Sequence, residues 1–196
     1  AGDVRNFQFA QHTCYQRIEA GPLRVLLDVG SAPPLSYAER AHAGALSFEL
    51  SSGAERLIVN IGAARELEPA ARMAARATNG HSTLVVADAL SASVGGRGKG
   101  GLRFAGPTLD DVRRSEDDSG VTVQGRHDGY KLQFGLLHRR YLFVDTQGTN
   151  VRGIDELIRP MKLKSPMPKH PIPFVARFHL HPDVRARLVE NHLPLL

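Results

Sequence analysis

Short runs of alternating apolar and polar residues, separated by turn residues, run through most of this sequence and restrict what it can fold into. The runs at 11–18 and 23–28 flank a Glu-Ala-Gly-Pro turn, and those at 45–50 and 56–61 flank a Ser-Ser-Gly-Ala turn. Alternation places successive side chains on opposite faces of a strand, and a turn between two such strands makes a β-hairpin. The sequence therefore predicts an all-β fold, an antiparallel β-sandwich of two sheets.

The same pattern predicts further strands along the rest of the chain. They cover 82–87, 121–127, 130–135, 138–145 and 174–181. A short helix is predicted over 68–77, which is rich in Ala, Arg and Glu and has Pro69 near its start. No fixed repeat and no linker divides the 196 residues, so we expect a single sandwich domain over 1–196.

Four polar or proline-rich segments predict irregular structure. The glycine-rich 91–101 lacks the spacing of a phosphate-binding P-loop and predicts a flexible surface loop. The mixed charges of 110–120 indicate a solvated turn between strands, and the prolines and lysines of 162–173 indicate an extended loop. For 183–196 the pattern leaves helix and turn both open.

The charge balance indicates a negatively charged partner. The net charge is +5 and the isoelectric point about 9.7, which suits nucleic acid or an acidic polysaccharide. The basic residues are spread over strand ends, without the Lys/Arg block and neighbouring aromatic residues of dedicated nucleic-acid modules. Arg139 and Arg140 alternate between faces, so one can reach an acidic ligand while the other is solvated. Nucleic acid is therefore the less favoured partner.

Composition narrows the class of protein further. Hydrophobic residues make up 42% of the chain and charged residues 23%, as in an ordinary soluble domain. No apolar run approaches the roughly 20 residues of a membrane span, and the first residues lack a signal-peptide pattern. The single cysteine, Cys14, excludes an internal disulfide, so we expect folding to depend on burial. We expect no membrane partner, and the compartment stays open.

Three polar residues stand at the edges of predicted strands, where side chains from separate strands can converge. They are His42, Asn60 and His81. Imidazole nitrogens are good zinc ligands, whereas an amide oxygen is a poor one because it carries no charge. The residues alone leave two interpretations open, a weak metal site or polar side chains that are satisfied at strand ends.

Other polar residues are candidates for a site, and each has a structural alternative. His179 and His181 are two apart on a strand, so they share a face that either binds a metal or is simply polar. His127 beside Asp128 is either a proton-transfer pair or part of a tight turn. The sequence contains no nucleophile elbow, no Cys–His nucleophile signature and no dinucleotide-binding fingerprint.

Five segments of the sequence resemble the C-terminal region of heparinase II/III family proteins. They are CYQRIEAGPLRVLLDVG, AHAGALSFELSSGAERLIVNIGA, ARATNGHSTLVVAD, HDGYKLQFGLLHRRYLFVD and RFHLHPDVRA. They occur in the family's order and at similar spacing, over about residues 12–187. In that family an N-terminal α/α toroid precedes an antiparallel β-sandwich region. The resemblance implies that this chain is the sandwich region of a longer bacterial protein, without its toroid, and implies a periplasmic location.

The resemblance also implies an activity. Family members that act on acidic polysaccharides are lyases that use β-elimination, in which a base removes the proton α to a uronate carboxyl group and an acid assists the leaving oxygen. A tyrosine and other catalytic groups come from the toroid, so the sandwich alone is expected to be inactive. The family's sandwich region contributes a histidine to the cleft and a structural zinc held by His, Asp and His.

Matched position by position, His42 and His81 correspond to the two zinc histidines, and Asn60 stands where the family has its zinc aspartate. Arg40 stands where the cleft histidine would be, two residues before His42. The resemblance thus implies a structural zinc at His42, Asn60 and His81, with an uncharged amide in place of the anionic ligand. The charge of Arg40 suits it to neutralise a substrate carboxylate, which makes it the candidate substrate-binding residue.

Two functions from different classes follow. The first is the sandwich region of a polysaccharide lyase that acts on uronic-acid-containing acidic polysaccharide and is inactive without its toroid. The second is a non-catalytic carbohydrate-binding or structural domain, suggested by Asn60 and Arg40 standing where the lyase chemistry expects aspartate and histidine.

Overall fold

The computed structural model describes residues 9–10, 12–34, 36–37, 41–63, 68–98, 101–161 and 170–187, with the side chains of 93–98 and 101–105 excepted. Antiparallel strands form most of the regular structure in these residues. The strands, in chain order, are β1 Phe9–Ala10, β2 Tyr15–Ala20, β3 Leu23–Asp28, β4 Phe48–Ser52, β5 Glu55–Val59, β6 Leu84–Val86, β7 Ser93–Gly98, β8 Gly101–Ala105, β9 Leu109–Asp117, β10 Gly120–His127, β11 Leu137–Asp145, β12 Val151–Ile158, β13 Phe174–Ala176 and β14 His179–Leu180. The helices are α1 Pro69–Arg76 and α2 Lys131–Phe134, with a 3-10 turn at Thr78–Gly80.

Two larger sheets make up the sandwich. One has six strands in the order β1-β2-β3-β4-β5-β14, and the other has four in the order β12-β11-β10-β9. Two smaller antiparallel pairs, β6 with β13 and β7 with β8, complete the described strands. The predicted all-β antiparallel sandwich is therefore confirmed.

The core is made by side chains on the inward faces of the two larger sheets. Along β3, Leu23, Val25 and Leu27 are buried, while Arg24 and Leu26 between them are exposed, as the alternation predicts. The buried cluster takes members from both sheets, so it lies between them. Its residues are Ile18, Leu23, Val25, Leu27, Val29, Leu46, Phe48, Val123, Leu142 and Val144.

The segment 91–101 was predicted to be a flexible loop, but its residues 93–98 are strand β7, which pairs with β8. Glycine is unfavourable in strands for entropic reasons, but backbone hydrogen bonding between two strands requires no side chain. The prediction for 110–120 was also wrong over most of its length, because Leu109–Asp117 is strand β9 and only residues 118 and 119 turn. This strand has β10 as its one neighbour in the sheet order, and charged side chains are tolerated on an edge strand.

The prediction of a strand over 130–135 was wrong as well, since Lys131–Phe134 is a short helix. Gly135 adopts a left-handed conformation with φ +70°, and its N–H bonds to the carbonyl of Lys131, which ends the helix. Over so few residues an alternating pattern does not distinguish a helical turn from a strand. Most of the loop predicted over 162–173 and the end of 183–196 lie outside the described residues. None of the described helices is long and apolar enough to cross a membrane.

Candidate functional site

His42, Asn60 and His81 line one cavity of about 640 Å³ at one end of the six-stranded sheet. Asn60 directly follows β5, and His81 follows the 3-10 turn at Thr78–Gly80. The rings of His42 and His81 meet edge to face, with centroids 5.4 Å apart and an angle of 85° between planes. The structure therefore brings together three residues that are up to 39 positions apart in the sequence.

Helix α1 positions the segment that carries His42. The Nε of Arg76, the last residue of α1, donates to the carbonyl of Ala41 at 2.8 Å, and the N–H of Ala43 donates to the carbonyl of Arg76 at 2.8 Å. These two bonds hold the chain on either side of His42 against the end of the helix. Gly44 then lets the backbone approach His81, because a Cβ at this position would lie 2.8 Å from the Cδ2 of the ring.

Each histidine ring is anchored through one nitrogen. Nδ1 of His81 lies 2.8 Å from the carbonyl of Ala77, so this nitrogen carries the proton and Nε2 is left as an acceptor. The ring of His42 is hydrogen-bonded to the backbone of Ala75, and this bond opposes the lowering of its pKa. A bond of this kind fixes the tautomer and orientation of a histidine whose other nitrogen takes a ligand.

Both histidines are neutral at pH 7. Burial is the main reason that the pKa of His81 is lowered to about 4. The neighbouring imidazoles of His42 and His179 act in the same direction, and the bond to Ala77 opposes the shift. Burial also lowers the pKa of His42, and the positive charge of Arg76 adds to this effect. Neutral imidazole accepts a hydrogen bond or a metal, so the cavity presents acceptors and not positive charge at this point.

Asn60 is committed to two partners. Its Oδ1 accepts the backbone N–H of Ser82 at 2.8 Å, which fixes the orientation of the amide, and its Nδ2 donates to Oε1 of Glu49 at 3.3 Å. The backbone N–H of Asn60 also donates to this carboxylate oxygen at 3.3 Å. The amide group therefore compensates the Glu49 carboxylate, where an aspartate would place a second negative charge beside it.

Further ionisable groups line the same cavity, including Tyr15 and Asp28. Burial, followed by the charges of Asp28 and Glu49, raises the pKa of Tyr15 to about 12. Burial raises the pKa of Asp28 to about 6, although the N–H of Gly30 donates to its Oδ1 at 2.9 Å. At pH 7 Tyr15 holds its proton, so it can donate a hydrogen bond but cannot act as a base.

The zinc implied by the resemblance fits this cavity in part. His42 and His81 present neutral, oriented imidazoles, as zinc requires. Among the described residues, however, no three His, Cys, Asp or Glu side chains form a group that could hold a metal ion. The third implied ligand, Asn60, is uncharged and already bonded to Ser82 and Glu49. The donor set therefore falls short of a three-ligand zinc site, and zinc at His42, Asn60 and His81 stays a prediction.

Arg40, the predicted substrate-binding residue, lies outside the described residues. The other candidates have local partners. His179 contacts the carbonyl of Asn79 through Nε2 at 2.9 Å, and Nδ1 of His181 lies 3.4 Å from a carboxylate oxygen of Asp183. The predicted pair of His127 and Asp128 does not form, because Oδ1 of Asp128 accepts the N–H of Thr108 at 2.8 Å.

A buried polar network that the sequence did not reveal connects the four-stranded sheet to the cavity. His127 accepts the N–H of Gly129 at 3.0 Å and contacts His138 at 3.0 Å, and His138 in turn contacts Asp155 at 2.8 Å. Because Nδ1 of His127 is an acceptor, its Nε2 carries the proton and donates to His138, which donates to Asp155. Arg140 closes the network with two bonds to Asp155, at 2.7 and 2.8 Å.

Arg140 extends this network to the segments that bear the two cavity histidines. Its Nη1 donates to the carbonyls of Leu46 and Ser82, each at 2.8 Å. Ser82 directly follows His81, and its N–H is the donor to Asn60. The sequence indicates this network only through the spacing of His138 and Arg140, which places them on the same face of a strand. That spacing does not show which residues lie opposite them.

Solved structures identify the class of fold. The chain superposes with a TM-score of 0.58 and 14% identity on a heparan sulfate lyase HepC mutant from Pedobacter heparinus, covering 81% of this chain and 23% of that one. The crystal structure of heparinase III gives a TM-score of 0.50 and 19% identity, covering 74% of this chain and 21% of the other. At these identities the likeness defines the fold, a sandwich of the kind found in these two proteins.

Sequence comparison gives the family. Residues 2–193 match the model of the heparinase II/III-like, C-terminal family, and the chain belongs to that family. A curated relative, FtsZ-localized protein C of Caulobacter vibrioides (strain NA1000 / CB15N), is 33% identical over 198 residues, which cover 95% of this chain. The chain spans about a third of the length of that relative, with 33% covered.

Proposed function

We propose that this chain is the sandwich half of a heparinase II/III-like protein and forms one wall of a binding cleft for a uronic-acid-containing polysaccharide. The observation that carries the proposal is the polar cavity at His42 and His81, whose neutral rings present oriented acceptors for hydroxyl groups. The net charge of +5 favours an acidic polymer. Arg40, two residues before His42, is proposed to neutralise a substrate carboxylate.

The chemistry of β-elimination is assigned to the rest of the longer protein, an N-terminal α/α toroid. The reaction requires a base with a pKa near the working pH and a proton donor. Among the described cavity residues, the pKa of His81 is about 4 and that of Tyr15 about 12, both far from neutral, while Asp28, with a pKa of about 6, already accepts the N–H of Gly30 through its carboxylate. No catalytic residue is therefore proposed in this chain, and we expect the chain alone to be inactive.

An assay on uronate polymers tests the lyase proposal. The full-length protein and this chain are incubated separately with a broad panel of acidic polysaccharides, and the unsaturated product is followed by its ultraviolet absorbance. We expect product from the full-length protein with at least one polymer and none from the chain alone. Absence of product from the full-length protein across the panel would count against a lyase.

A second function, non-catalytic binding, is favoured by the bond between Asn60 and Glu49. This bond gives the Glu49 carboxylate a donor, where the aspartate that the resemblance implies would place a second negative charge. The curated relative is also named for localisation with FtsZ and not for lyase activity. If this second function is correct, we expect a glycan array to detect binding by the chain. We expect Arg40→Ala to weaken that binding, and no lyase product to form.

The two functions are separated by one further measurement. Sedimentation of the full-length protein with FtsZ polymers, in the presence and absence of the bound polysaccharide, tests whether this protein associates with FtsZ. Co-sedimentation without lyase product supports the non-catalytic function, and lyase product without co-sedimentation supports the first.

A further inference from the structure

A second groove lies beside the histidine cavity, on the outward face of the six-stranded sheet. It encloses about 360 Å³. Side chains from four neighbouring strands line it, and three of them are arginines, namely Arg17 of β2, Arg24 of β3 and Arg56 of β5. We call this feature the arginine groove.

The strand register arranges these arginines across the sheet. Arg24 pairs with Ser51 of β4, and Ser51 pairs with Arg56. Because neighbouring strands are about 4.8 Å apart, the backbones at the two arginines are separated by about 10 Å, with the hydroxyl of Ser51 between them. In the next row Arg17 pairs with Leu26, which is 42% exposed and gives the groove an apolar floor.

The arginine groove keeps an excess of positive charge. Arg17 and Arg24 both bind the single carboxylate of Glu19. Arg56 has no ion pair with any residue in the described ranges, and its side chain is exposed. Three guanidinium groups thus face two carboxylates, Glu19 and the groove-lining Glu49, and each guanidinium retains donors that an incoming anion can accept from.

The groove and the histidine cavity are adjacent on the sheet and share one lining residue. Glu49 lines both of them, and its carboxylate is already bonded to Asn60. A linear polymer that enters the cavity can therefore extend along the outward face of the sheet to reach the arginines.

We propose that the arginine groove binds the carboxylate or sulfate groups of an acidic polysaccharide whose neighbouring sugar units occupy the histidine cavity. This inference rests on the proposed function and adds a second subsite to it. A sugar polymer fits because its anionic groups are spaced along the chain, as the arginines are spaced across the strands. An extended peptide would add to a strand edge instead, and sites for single-stranded nucleic acid add aromatic side chains for base stacking, of which the described lining of the groove has none.

Binding by arginine variants tests the proposal. Affinities of the full-length protein for heparan sulfate and polygalacturonate are measured by calorimetry for the parent, Arg56→Gln and the double variant Arg24→Gln/Arg56→Gln. Arg152→Gln is the matched control, because Arg152 is an exposed strand residue of the other sheet with no ion pair to the described residues. We expect the double variant to bind about tenfold more weakly, with a shallower salt dependence, and the control to bind like the parent.

The outcomes separate failure of this inference from failure of the proposed function. Unchanged affinity in the double variant, together with weaker binding by His42→Gln, would overturn the arginine groove and leave the cavity as the binding site. Absence of binding to either polysaccharide by the parent would overturn both. Equal loss of affinity in Arg152→Gln would show a general charge effect and would contradict the subsite. Equally tight binding of polyglutamate would contradict the assignment of a polysaccharide to the subsite.

Discussion

Asn60 adds no charge to the cavity, and its amide lies between a backbone donor and a carboxylate. Oδ1 accepts from Ser82 and Nδ2 donates to Glu49, so neither end of the amide is free. An aspartate at this position would keep the bond from Ser82 and turn its second oxygen towards Glu49. The two carboxylates would then lie close to two neutral imidazoles, which is a donor set that zinc prefers.

The substitution Asn60→Asp is therefore expected to create zinc binding. We predict that the purified parent carries less than stoichiometric zinc, whereas the variant binds at least about tenfold more tightly. Metal analysis and zinc titration check this, with Asn150→Asp as a control for the added charge, since Asn150 lies in an exposed turn. Stoichiometric zinc in the parent would show that the amide suffices as a ligand.

Gly44 is a second residue on which the cavity depends. In Gly44→Ala the new methyl group would lie 2.8 Å from Cδ2 and 3.2 Å from Nε2 of His81, so the ring or the backbone must move. We predict a loss of about 1–3 kcal/mol in the free energy of unfolding and a shift of the His81 ring resonances in NMR spectra. In Gly153→Ala the nearest atom is the flexible end of Leu142, and the His81 resonances should not change. Unchanged His81 resonances in Gly44→Ala would contradict the packing described for this ring.

At the scale of strands, the inward face of β11 carries a charged network where the rest of the core is apolar. His138 and Arg140 are both buried, and Arg140 makes four bonds, two to Asp155 and two to backbone carbonyls. Removing one member of a buried ion pair leaves the other charge uncompensated. Arg139, the next residue along the strand, faces outward and is partly exposed.

This difference between neighbours makes a matched comparison possible. We predict that Arg140→Lys lowers the free energy of unfolding by about 1.5–3 kcal/mol, because a lysine keeps the charge but cannot make the paired bonds to Asp155 and the bonds to Leu46 and Ser82 together. Arg139→Lys should cost about 1 kcal/mol or less, as expected for a partly exposed ion pair. Urea denaturation of the two variants measures both values, and similar losses would contradict the role assigned to the network.

The network also makes stability depend on pH. Burial, and then the charges of His138 and Arg140, hold the pKa of His127 well below its usual range, and burial lowers that of His138 despite its bond to Asp155. Both are neutral in the folded state and regain a pKa of about 6.5 on unfolding. The unfolded chain therefore binds more protons below about pH 6.5, and stability falls as the pH decreases through this range.

Asp28 changes the pH dependence of stability in the opposite direction, between about pH 4 and pH 6. Its folded pKa of about 6 exceeds the unfolded value, so the contribution of Asp28 to stability is lost as the pH rises from about 4 to 6. We predict that denaturation midpoints of His138→Gln decline less between pH 7 and pH 5 than those of the parent, and that those of Asp28→Asn decline more. An unaltered slope in His138→Gln would show that the buried histidines do not govern the pH response.

The sequence predicted elements better than the contacts between them. Alternation located β2 and β3 because each of these strands has one more buried and one more exposed face. It failed for 130–135, where a few residues fit helix and strand equally, and for 91–101, where glycines still allowed backbone pairing. The network of His127, His138 and Asp155 could not be predicted, because alternation gives the face of a side chain but not its partner across the core.

For the whole molecule, the fold and family are established and the activity is a proposal. The chain belongs to the heparinase II/III-like, C-terminal family and covers 33% of the length of its curated relative. A cavity with neutral histidines and a groove with three arginines lie next to each other along the six-stranded sheet. This arrangement suits the proposed binding of an acidic polymer, and the elimination chemistry is proposed for groups outside this chain.

Titration with an acidic polysaccharide tests whether the cavity and the arginine groove bind such a polymer. The full-length protein is titrated with the uronate polymers of the panel, alongside His42→Gln/His81→Gln, whose folding is checked by circular dichroism. We predict saturable binding of at least one polymer, weakened about tenfold or more when both histidines are replaced. Absence of binding, or binding that a folded double variant retains in full, would contradict this prediction.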